Sequence, residues 1–192
     1  MATKQTKSKQ RVREHGEVFT APREVKAMCD LAPIISEIDA TVLEPTCGNG
    51  NFLVEILARK LKTVEQMPSD VRLLYAIRTL TSIYGIDLMP DNVEESRQRM
   101  ERQMQDFIFR HCPACQSAVQ KAMRSVRVIL RYNIQQGNTL EGNGITITQW
   151  HWDAWGVTRS LWHWQDLFPT DSLFQPEPYK VLPEENYLCL TD

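Results

Sequence analysis

The chain of 192 residues contains no run of about 18 or more apolar residues, so we expect no membrane-spanning helix and no membrane partner. Its first residues are polar and lack the apolar core of a signal peptide, and we therefore expect a protein that is not secreted. The five cysteines are odd in number and scattered, which favours reduced thiols. Together these absences predict a cytoplasmic location. The net charge of −2 gives no general reason to expect a nucleic-acid partner.

A complete set of zinc ligands is also absent. Cys112 and Cys115 stand at zinc-knuckle or redox spacing, but a structural zinc site needs four ligands and the chain has no second pair. Even with the neighbouring His111 the set lacks one ligand. We predict no metal site, and a plain turn between two helices is the favoured interpretation of this segment.

Charge and proline divide the chain into three parts. Residues 1–13 carry five cations and no acid, and we predict a flexible basic arm over residues 1–14. Residues 169–192 carry five acids against one lysine, together with four prolines, and we predict an irregular acidic tail. Between them, residues 15–168 form the predicted ligand-binding domain. Its strand patterns alternate with helical ones, which indicates an α/β fold with an incomplete, mostly parallel sheet and helices on both faces.

The stretch "VLEPTCGNGNFLVEIL", residues 42–57, joins a strand pattern to a helix pattern through a glycine loop. Gly48 and Gly50 allow a tight turn and let a ligand approach the backbone, and the helix that follows points free N–H groups at the same space. The loop lacks the Lys-Ser/Thr pair of a phosphate-binding P-loop and the spacing of a dinucleotide fingerprint. A nucleotide-like ligand and a purely structural turn both remain open at this point.

A second strand pattern ends at Asp87, in "SIYGID". An acid in this position can accept hydrogen bonds from both hydroxyls of a ribose. It can also cap the following helix, which has Pro90 in its first turn, and the two roles are compatible.

Four motifs occur in the order found in gamma-type N6-adenine DNA methyltransferases: "GEVFTAP" (16–22), "LEPTCGNGNFL" (43–53), "GID" (85–87) and "NIQQGNTL" (133–140). Over about residues 16–140 the chain resembles the cofactor half of that family, which occurs in type I and type IIG restriction-modification enzymes. The resemblance implies a Rossmann-like class I methyltransferase core that binds S-adenosylmethionine.

The resemblance also implies a role for each matching residue. Phe19 and Thr20 would line the pocket for the methionine moiety, and Asp87 would hold the ribose with Leu88 beside the adenine. Asn138 stands where the family usually has Asp against the adenine amino group, and its carbonyl can accept that hydrogen bond. The cradle around the cofactor would comprise Glu44, Pro45, Thr46, Cys47, Gly48 and Gly50.

The catalytic signature of that family, a polar residue followed by Pro-Pro and an aromatic, is absent, and catalytic residues are therefore unknown. No proline occurs between residues 114 and 168, and the expected place holds "GNGITITQWHWDAWG". We expect the tryptophans of this region to close the core or an interface rather than to stack on bases.

The sequence thus predicts a DNA adenine-N6 methyltransferase-like protein that needs a partner for DNA recognition and catalysis. DNA and a specificity, nuclease or methyltransferase subunit are the expected partners. The alternative is a non-catalytic protein that binds or sequesters S-adenosylmethionine and acts through protein contacts, in an anti-restriction or regulatory role.

Overall fold

The structure, a computed structural model, describes residues 5–113, 115–168 and 176–192. Its α-helices are α1 (Lys9–His15), α2 (Pro22–Asp30), α3 (Asn51–Glu65), α4 (Arg72–Leu80), α5 (Pro90–His111) and α6 (Gln116–Asn133). Its strands are β1 (Val42–Glu44), β2 (Ile83–Asp87), β3 (Ile134–Gln136), β4 (Thr146–Asp153), β5 (Gly156–His163) and β6 (Lys180–Asn186). Short 3-10 helices cover Pro33–Ser36 and Trp164–Leu167. Among the described residues, no helix is both long and apolar enough to cross a membrane.

A three-stranded parallel sheet with the order β1-β2-β3 forms the first layer, so the fold is α/β as predicted. Glu44 pairs with Gly85, and Asp87 pairs with Gln136, which aligns the carboxyl ends of the strands at one edge. The central strand β2 is buried because helices and a second sheet cover it. In the described part of the chain, β1 pairs with β2 alone, and the parallel sheet therefore ends at β1.

Helices α3 and α5 pack against each other and against the parallel sheet. The apolar positions that recur at helical spacing point into one core: Leu53 and Leu57 from α3, and Met100 and Met104 from α5, all have no exposed surface. This spacing is the one that the sequence pattern predicts.

The other face of the parallel sheet carries an antiparallel sheet, with the order β4-β5-β6, in place of the helices that we expected there. The hydroxyl of Tyr84 donates to the carbonyl of Thr148 at 2.6 Å, and Ile86 packs with Ile145 and Trp164. β-Branched and aromatic residues along β4 and β5 suit a sheet with one buried side. The prediction of helices on both faces was therefore wrong.

The end of the chain is more regular than its prolines predict. Residues 169–175 lie outside the described part, but Lys180–Asn186 forms β6, the edge strand of the second sheet. Pro183 fits because the pairing with β5 is irregular there, with Val157 opposite Glu185 and Arg159 opposite Leu182. Proline is tolerated on edge strands and at bulges, where its missing N–H costs no ladder hydrogen bond.

The predicted basic arm contains helix α1 over Lys9–His15. Ser8 caps this helix by accepting a hydrogen bond from the N–H of Arg11 at 3.1 Å, and Gly16 ends it in a left-handed conformation. Two of the cations of the arm pair with acids of this chain: Lys7 with Asp91 and Glu95, and Arg11 with Asp91 and Glu17. The side chains of Lys7 and Arg11 therefore form ion pairs with acids of the same chain.

Candidate ligand-binding cleft

A cleft of about 590 Å³ opens at the carboxyl edge of the parallel sheet. Glu44 at the end of β1, Asp87 at the end of β2 and Asn138 shortly after β3 lie in its wall, and residues 16–20 close one side. Crevices at this edge are where open α/β sheets bind ligands, and the volume is typical of sites for small molecules.

The glycine loop forms the floor of the cleft and needs glycine at two positions. Gly48 has φ +53° and Gly50 has φ +84°, both in the region that side-chain-bearing residues rarely adopt. A Cβ on Gly50 would also lie 2.8 Å from the hydroxyl of Ser96, and one on Gly48 would lie 3.1 Å from the ring of Phe19. The loop is thus shaped by close packing on two sides as well as by its turn.

Hydrogen bonds from neighbouring elements hold the loop in place. Ser96 donates from its hydroxyl to the carbonyl of Gly48 at 3.0 Å. Arg99 donates to the side-chain oxygen of Asn51 at 2.9 Å, and the amide of Asn51 donates to the carbonyl of Thr20 at 2.8 Å. These bonds tie the start of α3 to α5 and to the segment before α2, so three elements of the chain fix the shape of the loop.

Asp87 receives three hydrogen bonds from its own chain. Oδ2 accepts the N–H of Gly48 at 2.8 Å, while Oδ1 accepts the N–H of Met89 at 2.9 Å and the amide of Asn92 at 3.0 Å. Because each carboxylate oxygen has about two acceptor sites, Oδ2 keeps room for one ligand hydrogen bond. The capping residue of α5 is Met89, not Asp87. Asp87 nevertheless accepts the N–H of Met89, so it stabilises the start of α5 while it also lines the cleft.

The charged residues that line the cleft are all acids, and one of them, Glu17, is paired with Arg11 from outside the lining. Three carboxylates line it, those of Glu17, Glu44 and Asp87, and none of its described lining residues is a lysine, arginine or histidine. Burial raises the pKa of Glu44, and hydrogen bonds from Thr46 oppose that rise. A ligand rich in phosphate would be repelled here, whereas a cationic ligand would be attracted.

Ten of the eleven predicted cofactor-binding residues line this one cleft: Phe19, Thr20, Glu44, Pro45, Thr46, Cys47, Gly48, Asp87, Leu88 and Asn138. Gly50 does not line it; it lies behind the loop as the capping residue of α3. Burial raises the pKa of the Cys47 thiol to about 12, so this cysteine is not suited to act as a nucleophile.

Asn138 already uses its carbonyl oxygen in its own loop. Oδ1 accepts the N–H of Leu140 at 3.1 Å, which is a local turn of the kind that asparagine favours. The oxygen that the resemblance assigns to adenine therefore has one acceptor site left.

Glu17 and Asn92 also line the cleft, and neither was predicted. The side chain of Glu17 is 8% exposed and Asn92 is 1% exposed, and each keeps one oxygen without a hydrogen-bond partner in the described part of the chain. Glu17 lies inside the motif "GEVFTAP", so the motif could have identified it. No sequence motif distinguished Asn92 from any other residue in the first turn of α5.

The tryptophan-rich region forms the β4–β5 hairpin and its continuation. Trp150 donates from its indole to Asn133 at 2.8 Å, Trp152 donates to Thr81 at 3.1 Å, and Trp164 is buried. Only Trp155, of these four, is largely exposed. Most of this cluster therefore closes the core, in line with the favoured interpretation. Among the residues described, no group of three or more His, Cys, Asp or Glu side chains could hold a metal ion.

Comparison of the chain with protein-family models, with curated proteins and with solved structures finds no match in any of the three.

Proposed function

We propose that the cleft binds S-adenosylmethionine. The observation that carries this proposal is the pair of carboxylates of Glu44 and Asp87, which form no ion pair in the described part of the chain and lie beside a glycine loop at the carboxyl edge of a parallel sheet. S-adenosylmethionine carries a sulfonium and an ammonium against one carboxylate and has no phosphate. Its net positive charge suits this wall, whereas nucleoside triphosphates and dinucleotides are strongly anionic.

In this proposal each side of the cleft contacts a different part of the ligand. The free site on Asp87 Oδ2 accepts a ribose hydroxyl, and the exposed side chain of Leu88 lies beside the base. The backbone of the glycine loop and the Phe19–Thr20 segment surround the methionine end, where Glu44 adds negative charge. When bound, the cofactor supplies a methyl group activated by its sulfonium; the residues of this chain bind and orient it.

The proposed acceptor is the exocyclic amine of adenine in DNA, as the resemblance implies, with a partner supplying DNA recognition and catalytic groups. The end of the parallel sheet at β1 supports dependence on a partner, since no described strand extends the cleft wall beyond it. The same observation favours a second candidate, a non-catalytic protein that binds the cofactor and acts through protein contacts.

Calorimetric titration tests cofactor binding. We expect S-adenosylmethionine to bind the wild-type chain and ATP not to bind. Asp87→Ala should weaken binding by roughly tenfold or more, because a hydrogen bond to a charged group contributes about 1.5–3 kcal/mol. Asp106→Ala, which removes an exposed acid of α5 far from the cleft, is the matched control and should bind like wild type. An absence of binding by the wild type at millimolar S-adenosylmethionine would contradict the proposal.

A methylation assay separates the two candidate functions. The chain is expressed in a host without adenine methylation, alone and together with the products of neighbouring genes, and host DNA is sequenced for N6-methyladenine. Methylation that requires a co-expressed partner supports the partner-dependent enzyme. Unmodified DNA in every combination, from a chain that binds the cofactor, supports the non-catalytic protein.

A further inference from the structure

The segment of residues 5–17 contacts the cleft wall at several points. The carbonyl of Gln5 accepts the N–H of Phe19 at 2.7 Å, and the ammonium of Lys7 lies 5.9 Å from the centre of the Phe19 ring. Phe19 in turn packs against Gly48 of the glycine loop. The segment therefore borders the residue that packs against the floor of the cleft.

Arg11 connects this segment to two acids. One guanidinium nitrogen lies 2.7 Å from Asp91 Oδ2 at the start of α5, and the other lies 2.5 Å from Glu17 Oε2 in the cleft wall. Arg11 is only 18% exposed and Glu17 is 8% exposed, so this second ion pair is shielded from solvent. Such a pair is screened by salt much less than a surface pair.

Asn92 continues the connection to the glycine loop. Its buried amide group donates to Glu17 Oε2 at 2.9 Å and to Asp87 Oδ1 at 3.0 Å. An amide has two hydrogens, and both are used by these two carboxylates. Asp87 accepts the N–H of Gly48 with its other oxygen. An unbroken chain of hydrogen bonds thus runs from Arg11 to the loop, over residues up to 81 positions apart in sequence.

We infer that residues 5–17 are a positioning element of the cleft, in which Arg11 acts through Glu17 and Asn92 to orient the carboxylate of Asp87. Among the described residues Asn92 supplies the one side-chain hydrogen bond to Asp87, and without it the carboxylate keeps only the backbone N–H groups of Gly48 and Met89. Docking of the segment and binding of a ligand at Asp87 then stabilise each other by the same factor, as linkage requires. The positioning role rests on hydrogen bonds within the chain, and the coupling to S-adenosylmethionine rests on the proposed function.

The first experiment uses no ligand. Amide hydrogen exchange is measured by NMR in the wild type, in Arg11→Met and in Arg13→Met, which removes an exposed cation of the same helix. We expect the amides of Gly48 and Met89 to exchange at least several-fold faster in Arg11→Met and at the wild-type rate in Arg13→Met, with α6 amides unchanged in all three. Unchanged Gly48 and Met89 exchange in Arg11→Met would overturn the inference. Should that variant fail to fold, Glu17→Gln removes the ion pair but keeps an oxygen facing Asn92, and the same comparison applies to it.

The second experiment measures the coupling. We expect Arg11→Met to bind S-adenosylmethionine about tenfold more weakly than wild type, and Arg13→Met to bind within twofold of wild type. Saturating ligand should also slow tryptic cleavage after Arg11 and Arg13 in the wild type. Equal affinity of Arg11→Met and wild type would overturn the coupling. If the wild type binds no S-adenosylmethionine, the proposed function fails, while the exchange experiment still decides the positioning role.

Discussion

Lys60 of α3 offers the sharpest test of how the chain supports its cleft. The residue is fully buried, and its ammonium has four oxygen atoms within 2.6–3.2 Å. These are the carbonyl oxygens of Glu37, Ile38 and Ala40 and the hydroxyl of Ser82. The three carbonyls belong to the turn that leads into β1, so Lys60 holds together the approach to the glycine loop.

We expect Lys60→Met to lower the free energy of unfolding by about 3 kcal/mol at pH 7. Each hydrogen bond to a charged group contributes about 1.5–3 kcal/mol, but loss of the buried charge also removes its desolvation cost, which offsets part of the total. For a chain of this length about 3 kcal/mol corresponds to a melting temperature lower by roughly 6–12 °C. Lys62→Met, an exposed lysine of the same helix, should change stability by less than about 0.5 kcal/mol.

The pKa of Lys60 predicts how its contribution to the free energy of unfolding changes with pH. Burial lowers the pKa of Lys60 from 10.5 to about 8. Below pH 8 the lysine is protonated in both states, whereas between pH 8 and 10.5 the unfolded chain holds a proton that the folded chain has released. The contribution of Lys60 to the free energy of unfolding therefore rises with pH in this window.

Urea denaturation of wild type and Lys60→Met at pH 7, 8, 9 and 10 measures this contribution as the difference between the two proteins. We expect the difference to grow from pH 8 upward. The reasoning is refuted if Lys60→Met is as stable as wild type at pH 7, or if the difference falls as the pH rises.

Two further substitutions test other parts of the structure by the same denaturation measurement. Gly50→Ala should destabilise the protein by about 2 kcal/mol or more, because a left-handed alanine costs about 1–2 kcal/mol and its Cβ would also collide with α5. Gly144→Ala has a similar φ but open space around it, so equal losses in the two variants would argue against the collision. Arg159→Met should cost about 3–5 kcal/mol, because it leaves the carboxylate of Glu185 without its buried partner. Adding Glu185→Gln should recover part of that loss, and a double variant no more stable than the single one would contradict this account.

The parts of the fold that depend on neighbours in sequence were predictable. The helical spacing of apolar residues located α3, and the apolar run ending at Asp87 located β2, which the structure places at Ile83–Asp87. Phe19, Thr20, Leu88 and Asn138 were assigned to the site only by the resemblance. The carboxyl ends of parallel strands meet at one edge, so the sequence pattern was enough to place the glycine loop and Asp87 together there. Both arguments use only local pattern and the geometry of parallel strands.

The parts that depend on distant contacts were not predictable. Prolines argued against a strand near the end of the chain, yet β6 forms because β5 offers it an edge with an irregular register. The charge pattern predicted a solvated basic arm, yet Arg11 forms an ion pair with Asp91, 80 positions away. Asn92 looked like an ordinary first-turn residue, yet it joins the two carboxylates of Glu17 and Asp87.

The sequence by itself determined the α/β alternation, the glycine turn after β1 and the acid at the end of β2, because these follow from residue spacing and backbone sterics. Only the tertiary structure decided what covers the second face of the parallel sheet, since strand pairing there joins segments whose local patterns permit several partners. It alone also decided that Glu17 is paired with Arg11, and which hydrogen bonds hold Asp87. Those depend on which side chains meet in space, and ion pairs between residues about 80 positions apart leave no local pattern to read.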